Sequence, residues 1–336
     1  MKLKAAEFCA GIGGFREGIQ NSILDVDWVY LNEIDLDCER TYKSNYFQSF
    51  DSKDIFDIFS DDLPDFDLMT AGFPCQPFSM AGKNAGFSDP RGQVIFKIIE
   101  IARKKKPKFI LLENVPNLVT HQNGSALNLI VSQFIELGYN VNYKILNSKF
   151  FGIPQSRPRL YILCYLKELG DIDFVFPDYQ NEPVSMRSCL NNGDYSIPIS
   201  DKWQKYIDLY TGRIMESDLG FKLPKTRKKL ERASKNVDLD DCVFQIRSSG
   251  IRAYSLDDPF PTFAVSNSGG GAMIPVLSKE RRHLNLIEMK RLMGFPDDYI
   301  FPVSRTAAIK QLANAVCPPV IKEIANNIAE QFKLNY

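Results

Sequence analysis

The run Leu3-Lys4-Ala5-Ala6-Glu7-Phe8-Cys9-Ala10-Gly11-Ile12-Gly13-Gly14-Phe15 passes from an apolar strand through a glycine turn into a helical stretch. Glycines at such a turn let a ligand approach the backbone, and the helix start that follows offers free N–H donors. The pattern is G-x-G-G, with Arg16 standing where a dinucleotide fingerprint would carry its third glycine. On the glycines alone, a tight turn that holds no ligand stays open as a reading.

Outward from this turn, the first 165 residues alternate short apolar runs with amphipathic stretches, as βα units of a parallel sheet do. The pattern predicts strands at Leu3–Cys9, Trp28–Asn32, Asp67–Ala71, Phe109–Leu112 and Leu160–Tyr165. It predicts helices at Phe15–Asn21, Asp35–Asn45, Val94–Arg103 and Ala126–Leu137. From about Leu169 to about Ser278 the periodicity is weak, and Pro, Asn, Ser and Asp are frequent. Helical patterning returns at Leu284–Met293 and Ala307–Gln331. The chain therefore reads as one α/β domain with a mostly parallel sheet, residues 1–169 and 281–336, interrupted by a smaller irregular domain at 170–280.

Composition narrows the function. The 336 residues carry 41 basic and 41 acidic side chains, so nucleic acid can be bound only through a locally basic face. No run of 18 apolar residues occurs, and Met1–Lys4 is not followed by the long apolar region of a secretory leader, so neither a membrane span nor export is expected. The seven cysteines, Cys9, Cys38, Cys75, Cys164, Cys189, Cys242 and Cys317, are scattered and odd in number, which fits reduced thiols. With only His121 and His283 present, no metal site is expected and a histidine-dependent triad has little to draw on.

The strand ends carry the chemistry. Glu33 closes the second strand, 19 residues after Gly14, where a carboxylate can accept from ribose hydroxyls, and Asp54 can serve the far end of the same ligand. Together with the glycines they argue for an adenosine-bearing cofactor; singly, each reads as well as a solvated strand-end acid. Ala71-Gly72-Phe73-Pro74-Cys75-Gln76-Pro77-Phe78-Ser79 places a cysteine between two prolines on a loop at a strand's carboxyl end, where α/β proteins do their work. A buried space-filling thiol is the usual fate of cysteine, and the other six are read that way. The polar Gly82–Gly92 stretch argues against it for Cys75. Leu111-Leu112-Glu113-Asn114 ends another strand in a carboxylate. In Gln155-Ser156-Arg157-Pro158-Arg159 the two arginines share a face of an extended segment, fit for a phosphate, for Glu113 or for a structural ion pair.

These residues, in this order, resemble the bacterial cytosine-carbon-5 DNA methyltransferases, the modification enzymes of restriction–modification systems. The likeness runs through Phe8–Phe15, Asn32-Glu33, Asp54-Ile55, Gly72–Ser79, Glu113-Asn114-Val115, Gln155–Arg159, Arg282–Tyr299 and Gln311–Val316. It implies a Rossmann-like domain that uses S-adenosylmethionine, with a target-recognition domain at 170–280 ahead of the C-terminal helix. By resemblance Cys75 attacks carbon 6 of a flipped-out cytosine, Glu113 contacts ring nitrogen 3 and the amino group, Arg159 binds the carbonyl oxygen and Arg157 supports the loop or backbone. The cofactor pocket would be Phe8, Cys9, Gly11, Gly13, Gly14, Glu33, Ile34, Asp54, Ile55, Pro74 and Asn314. Cys9 occupies the position of the family's usual adenine-packing Phe, so the adenine would fall to a reoriented Phe8 or to Ile34 and Ile55. Gln76, Ser79, Arg91 and Gln155 would meet DNA, as would Thr262, Gly269 and Gly270 in the recognition region. The likeness also implies a monomer in the bacterial cytoplasm or nucleoid, and a cognate restriction endonuclease acting on the same site.

Within the recognition region, Lys222–Lys235 gathers seven cations against Glu231, which suits phosphate contact as well as a solvated helix face. Arg247, Arg252 and Asn267 are candidate base readers by residue type alone. Three other functions compete. A tRNA-methylating branch of the same family carries Cys-Phe-Thr where this chain has Cys242-Val243-Phe244. A nucleotide-dependent oxidoreductase would leave Cys75, Glu113 and the arginines without a role, and an inactive DNA-binding module would not need a placed thiol.

Overall fold

The structure, a computed structural model, describes residues 2–74, 90–170, 172–178, 181–191, 197–247, 250–263 and 275–334. Its first half builds β1 (Leu3–Phe8), α1 (Gly14–Gln20), β2 (Val26–Asn32), α2 (Leu36–Tyr46), β3 (Leu68–Gly72), α3 (Val94–Lys105), β4 (Phe109–Asn114), α4 (Asn117–Thr120), α5 (Ser125–Glu136), β5 (Tyr139–Asn147), β6 (Gln155–Ser156) and β7 (Pro158–Leu166). Six of these strands form one sheet in the order β2-β1-β3-β4-β7-β5. Only β7 runs against its neighbours, pairing antiparallel with β4 and with β5. The mostly parallel sheet is as expected; β5 is a strand the sequence reading did not place.

Alternation sorts the sheet's side chains into two cores. Leu3, Ala5, Leu68, Phe109, Leu111, Tyr161 and Leu163 face α1, α2 and the C-terminal helices. Ala6, Phe8, Met69, Ala71, Ile110, Leu112, Leu160 and Ile162 face α3 and α5. With both faces covered, β3 (LMTAG) and β4 (FILLEN) are mostly apolar, and β4 turns polar only at its carboxyl end.

The second half adds β8 (Ile197–Pro198), α6 (Asp201–Tyr210), α7 (Lys225–Lys228), β9 (Leu230–Arg232), β10 (Cys242–Arg247), β11 (Gly250–Ser255), β12 (Phe260–Pro261), β13 (Val276–Leu277), β14 (Arg282–His283), α8 (Leu286–Met293), α9 (Arg305–Asn314) and α10 (Pro318–Gln331). The region expected to be irregular thus contains a second six-stranded sheet, β8-β14-β13-β10-β11-β9, covered by Trp203, Tyr206 and Ile207 of α6. This sheet reaches β14, past the expected boundary at 280, while Phe174, Phe176, Met186 and Cys189 pack into the first core. The single helix expected over Ala307–Gln331 is two: the chain leaves helical geometry at Ala315, and Pro318-Pro319, which lack N–H donors, start α10. No described helix is long and apolar enough to cross a membrane.

Glu7, within β1, is fully buried, and its Oε1 meets no hydrogen-bond donor among the described residues. Burial raises its acid from an ordinary 4.5 to about 8, against the pull of Arg16 and of the Tyr42 hydroxyl, which donates to Oε2 at 3.4 Å. Below pH 4.5 the folded and unfolded chains both hold this proton, and between 4.5 and about 8 only the folded chain does. Rising pH therefore withdraws stability across that window, by up to about 1.4 kcal/mol per pH unit, and the loss is complete above it. A Glu7→Gln chain lacks this slope. Its unfolding free energy in urea, compared with that of the wild type from pH 5 to pH 9, is expected to gain steadily and then level off; a constant difference would show Glu7 ionised throughout.

Candidate active site

The carboxyl ends of β1 and β2 meet at the glycine turn. Gly14 is glycine because a Cβ there would lie 2.5 Å from the Val316 carbonyl oxygen, so the link between α9 and α10 closes directly onto the turn. Beside Gly11, held at φ +55, a Cβ would meet nothing within 4 Å, and that open space forms a cradle. Glu33 stands across it: Oε2 accepts from the Gly11 N–H at 2.9 Å and Oε1 from the Asp35 N–H at 3.0 Å. Burial raises the Glu33 acid, and these amides pull it back. The Asn32 side chain donates to the Asp51 and Lys53 carbonyls at 2.9 Å each, which brings the next loop alongside. There Asp54 caps a short turn through the Phe56 N–H at 3.1 Å, above buried Ile55. Ile34 offers an apolar surface that is 60 % exposed, and Asn314 is exposed at the end of α9.

An open backbone cradle, two carboxylates and an apolar cover fit an adenosine-bearing cofactor. Phe8 does not join them. Its position on β1 turns it into the core under α3, where it packs on Tyr30 and Phe66 with ring centres 5.5 and 6.3 Å away. Cys9 follows in a left-handed conformation, and burial, with Glu33 and Asp54 nearby, pushes its thiol up. Burial does the same to Cys38, Cys164, Cys189, Cys242 and Cys317, so no described cysteine is prepared as a nucleophile.

The second half of the site lies at the ends of β3, β4 and β7. Asn114 donates to the Phe73 carbonyl at 3.1 Å, which fixes the chain just before Pro74. Cys75, Gln76, Ser79, Asn267, Gly269 and Gly270 lie outside the described residues, and Arg91 stands in the turn Pro90–Gln93 that leads into α3. A Cβ on Gly72 would come within 3.9 Å of Glu113 Oε2, so Glu113 adjoins the segment that leads to Cys75. Because β7 is reversed, its first residues arrive at this same end, and Arg159 Nε sits 3.1 Å from Glu113 Oε1. Burial raises the Glu113 acid, while Arg159 and then Arg157 pull it down. The result is a shielded carboxyl, its acid raised by burial, beside a fixed guanidinium.

Arg157 shares the inward face with Arg159 but serves the backbone: Nη1 donates to the Phe263 carbonyl at 3.1 Å, and Nη2 to those of Ala313 and Ala315 at 2.9 and 3.0 Å. Burial brings its guanidinium down to about 10, which leaves it charged at neutral pH. Gln155, expected at DNA, is fully buried instead. Its Nε2 donates to the Leu292 carbonyl at 2.6 Å, and its Oε1 accepts from the Phe263 N–H at 2.7 Å. Thr262 donates to the Ser156 carbonyl at 2.9 Å, and β12 pairs with β6. Sequence reasoning missed this clamp on Phe263, although the alternation of Gln155, Arg157 and Arg159 was its signal.

The basic stretch carries Lys222, Lys225, Lys229, Arg232 and Lys235 exposed, while Lys228 pairs with Glu216 and Arg252 with Glu231 at 2.8 Å. Among the described residues no group of His, Cys, Asp and Glu could hold a metal ion.

Residues 3–330 match the family model for C-5 cytosine-specific DNA methylase. Similar named proteins include the type II methyltransferase M.NlaX of Neisseria lactamica, 34 % identical across 97 % of this chain and 96 % of its own. M.HhaI of Haemophilus parahaemolyticus is 32 % identical across 97 % and 94 %. Among solved structures, the Entamoeba histolytica methyltransferase EhMeth superposes with a TM-score of 0.68 at 18 % identity, covering 98 % of both chains. The S. pombe Dnmt2 methyltransferase does so at 0.67 and 22 %, covering 99 % of this chain and 100 % of its own.

Proposed function

The chain belongs to the C-5 cytosine-specific DNA methylase family, as a cytosine-C5 DNA methyltransferase of the type II restriction–modification kind, and on that premise we propose that it methylates one cytosine in a short double-stranded sequence through a covalent Cys75 adduct. The observation that supports this reading most is the buried Glu113–Arg159 pair at the sheet's carboxyl end. A shielded carboxyl beside a guanidinium matches ring nitrogen 3, the amino group and the carbonyl oxygen of cytosine.

Carbon 5 of cytosine is a poor nucleophile, and the residues correct that. The Cys75 thiolate forms a bond to carbon 6, and the C5=C6 electron pair moves into the ring, where Glu113 at nitrogen 3 and Arg159 at the oxygen stabilise it. S-adenosylmethionine, when bound, supplies the methyl group that carbon 5 takes up, and S-adenosylhomocysteine is left. Loss of the C5 proton to solvent then restores the double bond and releases the thiolate. A stacked pair hides carbon 6, so the target base must leave the duplex. Gly11, Gly13, Gly14, Glu33, Ile34, Asp54, Ile55 and Asn314 would hold the cofactor, and Arg157 would brace the site. In the bacterial cytoplasm, as a monomer, such modification would protect DNA from a cognate endonuclease.

The test is transfer of labelled methyl from S-adenosylmethionine to unmodified genomic DNA and, in parallel, to tRNA. Label in DNA is expected, and bisulfite sequencing of that product would give the site. Label in tRNA alone would move the chain to the tRNA-methylating branch, and label in neither would favour the inactive binding module.

A further inference from the structure

Arg16 has no task in the function proposed above, yet it is buried at the heart of the cofactor half. Its Nη1 donates to Gln48 Oε1 at 2.6 Å and to the Tyr42 hydroxyl at 3.2 Å. The guanidinium carbon lies 4.5 Å from the Tyr46 ring centre, 5.4 Å from that of Tyr42 and 6.0 Å from that of Trp28. Gln48 is held in turn by donating to the Trp28 carbonyl at 3.0 Å, and Tyr46 donates to Glu17 Oε2 at 2.7 Å. Arg16 therefore ties α1, α2 and β2 together around one cation.

The caged tyrosines are the surface on which the glycine turn rests. A Cβ on Gly13 would lie 2.8 Å from the rings of both Tyr42 and Tyr46. Tyr299, edge-on to Tyr46 at 6.1 Å, donates its hydroxyl to the Ile12 carbonyl in the same turn. The geometry also explains why an arginine stands where a dinucleotide fingerprint has glycine. Close packing against α1 is provided by Gly14 and Gly18, where a Cβ would lie 2.5 Å from the Val316 and Pro318 carbonyls. Position 16 projects from the other side of α1 and is free to carry a long side chain.

We propose that Arg16 is a positioning residue for the cofactor: it clamps Tyr42 and Tyr46 against Gly13 and so selects the turn conformation that receives S-adenosylmethionine, without touching it. This rests on the cofactor reading above. Cys9, Gly11 and Gly13 all take positive φ, of 52, 55 and 82°, and glycines allow the turn many other shapes. Affinity for a ligand falls in proportion to the fraction of chains that hold the competent shape.

Arg16→Met keeps the length of the side chain and removes the charge and the fork. Calorimetric titration with S-adenosylhomocysteine is expected to show an affinity weaker by about tenfold. In transfer assays KM for S-adenosylmethionine should rise by a similar factor, with kcat and KM for DNA unchanged. Arg16→Lys, which keeps the cation over the rings but loses the fork, should fall between the two, and carries the same comparison if the methionine variant does not fold. Wild-type affinity in either variant, or a lower kcat at unchanged KM for the cofactor, would overturn the inference alone. A wild-type chain that binds no S-adenosylhomocysteine would overturn the cofactor reading with it.

Discussion

Replacing Cys75 by alanine is expected to lower methyl transfer by at least about 10⁴-fold while leaving DNA retention in a gel shift close to wild type. The size of the effect follows from the chemistry, since without a bond to carbon 6 carbon 5 has no electron density to offer, and neither Glu113 nor Arg159 can substitute. The described cysteines offer no understudy either. Cys9, the thiol nearest the glycine turn, is pushed up by burial and by Glu33 and Asp54, and Cys317, beside Arg157, is pushed up by burial as well. Cys9→Ala and Cys317→Ala should therefore retain turnover. Single-turnover transfer of labelled methyl to genomic DNA makes the comparison, and normal transfer by the Cys75 variant would sink the covalent mechanism.

Arg157→Ala is expected to cost stability rather than chemistry first. One guanidinium holds three buried carbonyls, those of Phe263, Ala313 and Ala315, drawn from the region ahead of β13, from the end of α9 and from the link after it. Each buried carbonyl that loses its donor costs about 1–3 kcal/mol, so a loss of about 3 kcal/mol or more in urea unfolding is expected. Arg157→Lys should recover little, because one ammonium cannot span three acceptors that fit a planar fork. An unfolding midpoint equal to the wild type would show that these carbonyls find other donors. Activity should fall as well, since Ala313 and Ala315 flank Asn314 at the cofactor half.

Much of this was legible in the residues. β3 and β4 announce themselves because a strand covered on both faces is mostly apolar, Leu68-Met69 and Phe109–Leu112 here, with polar residues gathered toward the carboxyl end. β5 shows the weaker signal of an edge: Tyr139, Val141, Tyr143 and Ile145 alternate with Asn140, Asn142 and Lys144, and several of these positions are half-exposed. In the second sheet β8, β13 and β14 gave no local sign because they are two residues each and exist only through their pairing partners. Glu113 and Arg159 could be nominated from strand ends, and only the family likeness set Arg159 apart from Arg157, because the reversal of β7 and the carbonyls around Arg157 are tertiary facts. Gln155 misled for a related reason: a glutamine in a polar run reads as surface until its amide finds buried partners.

The clamp on Phe263 bears on how such a protein diversifies. Both backbone groups of Phe263 are fixed by Gln155 and Arg157, and Val276 pairs opposite Phe244 in the second sheet. If the intervening stretch reads DNA, as the family likeness implies for Gly269 and Gly270, mutations there can accumulate without shifting the strand that carries Arg159. A lineage could then trade one target for another while inheriting its reaction intact.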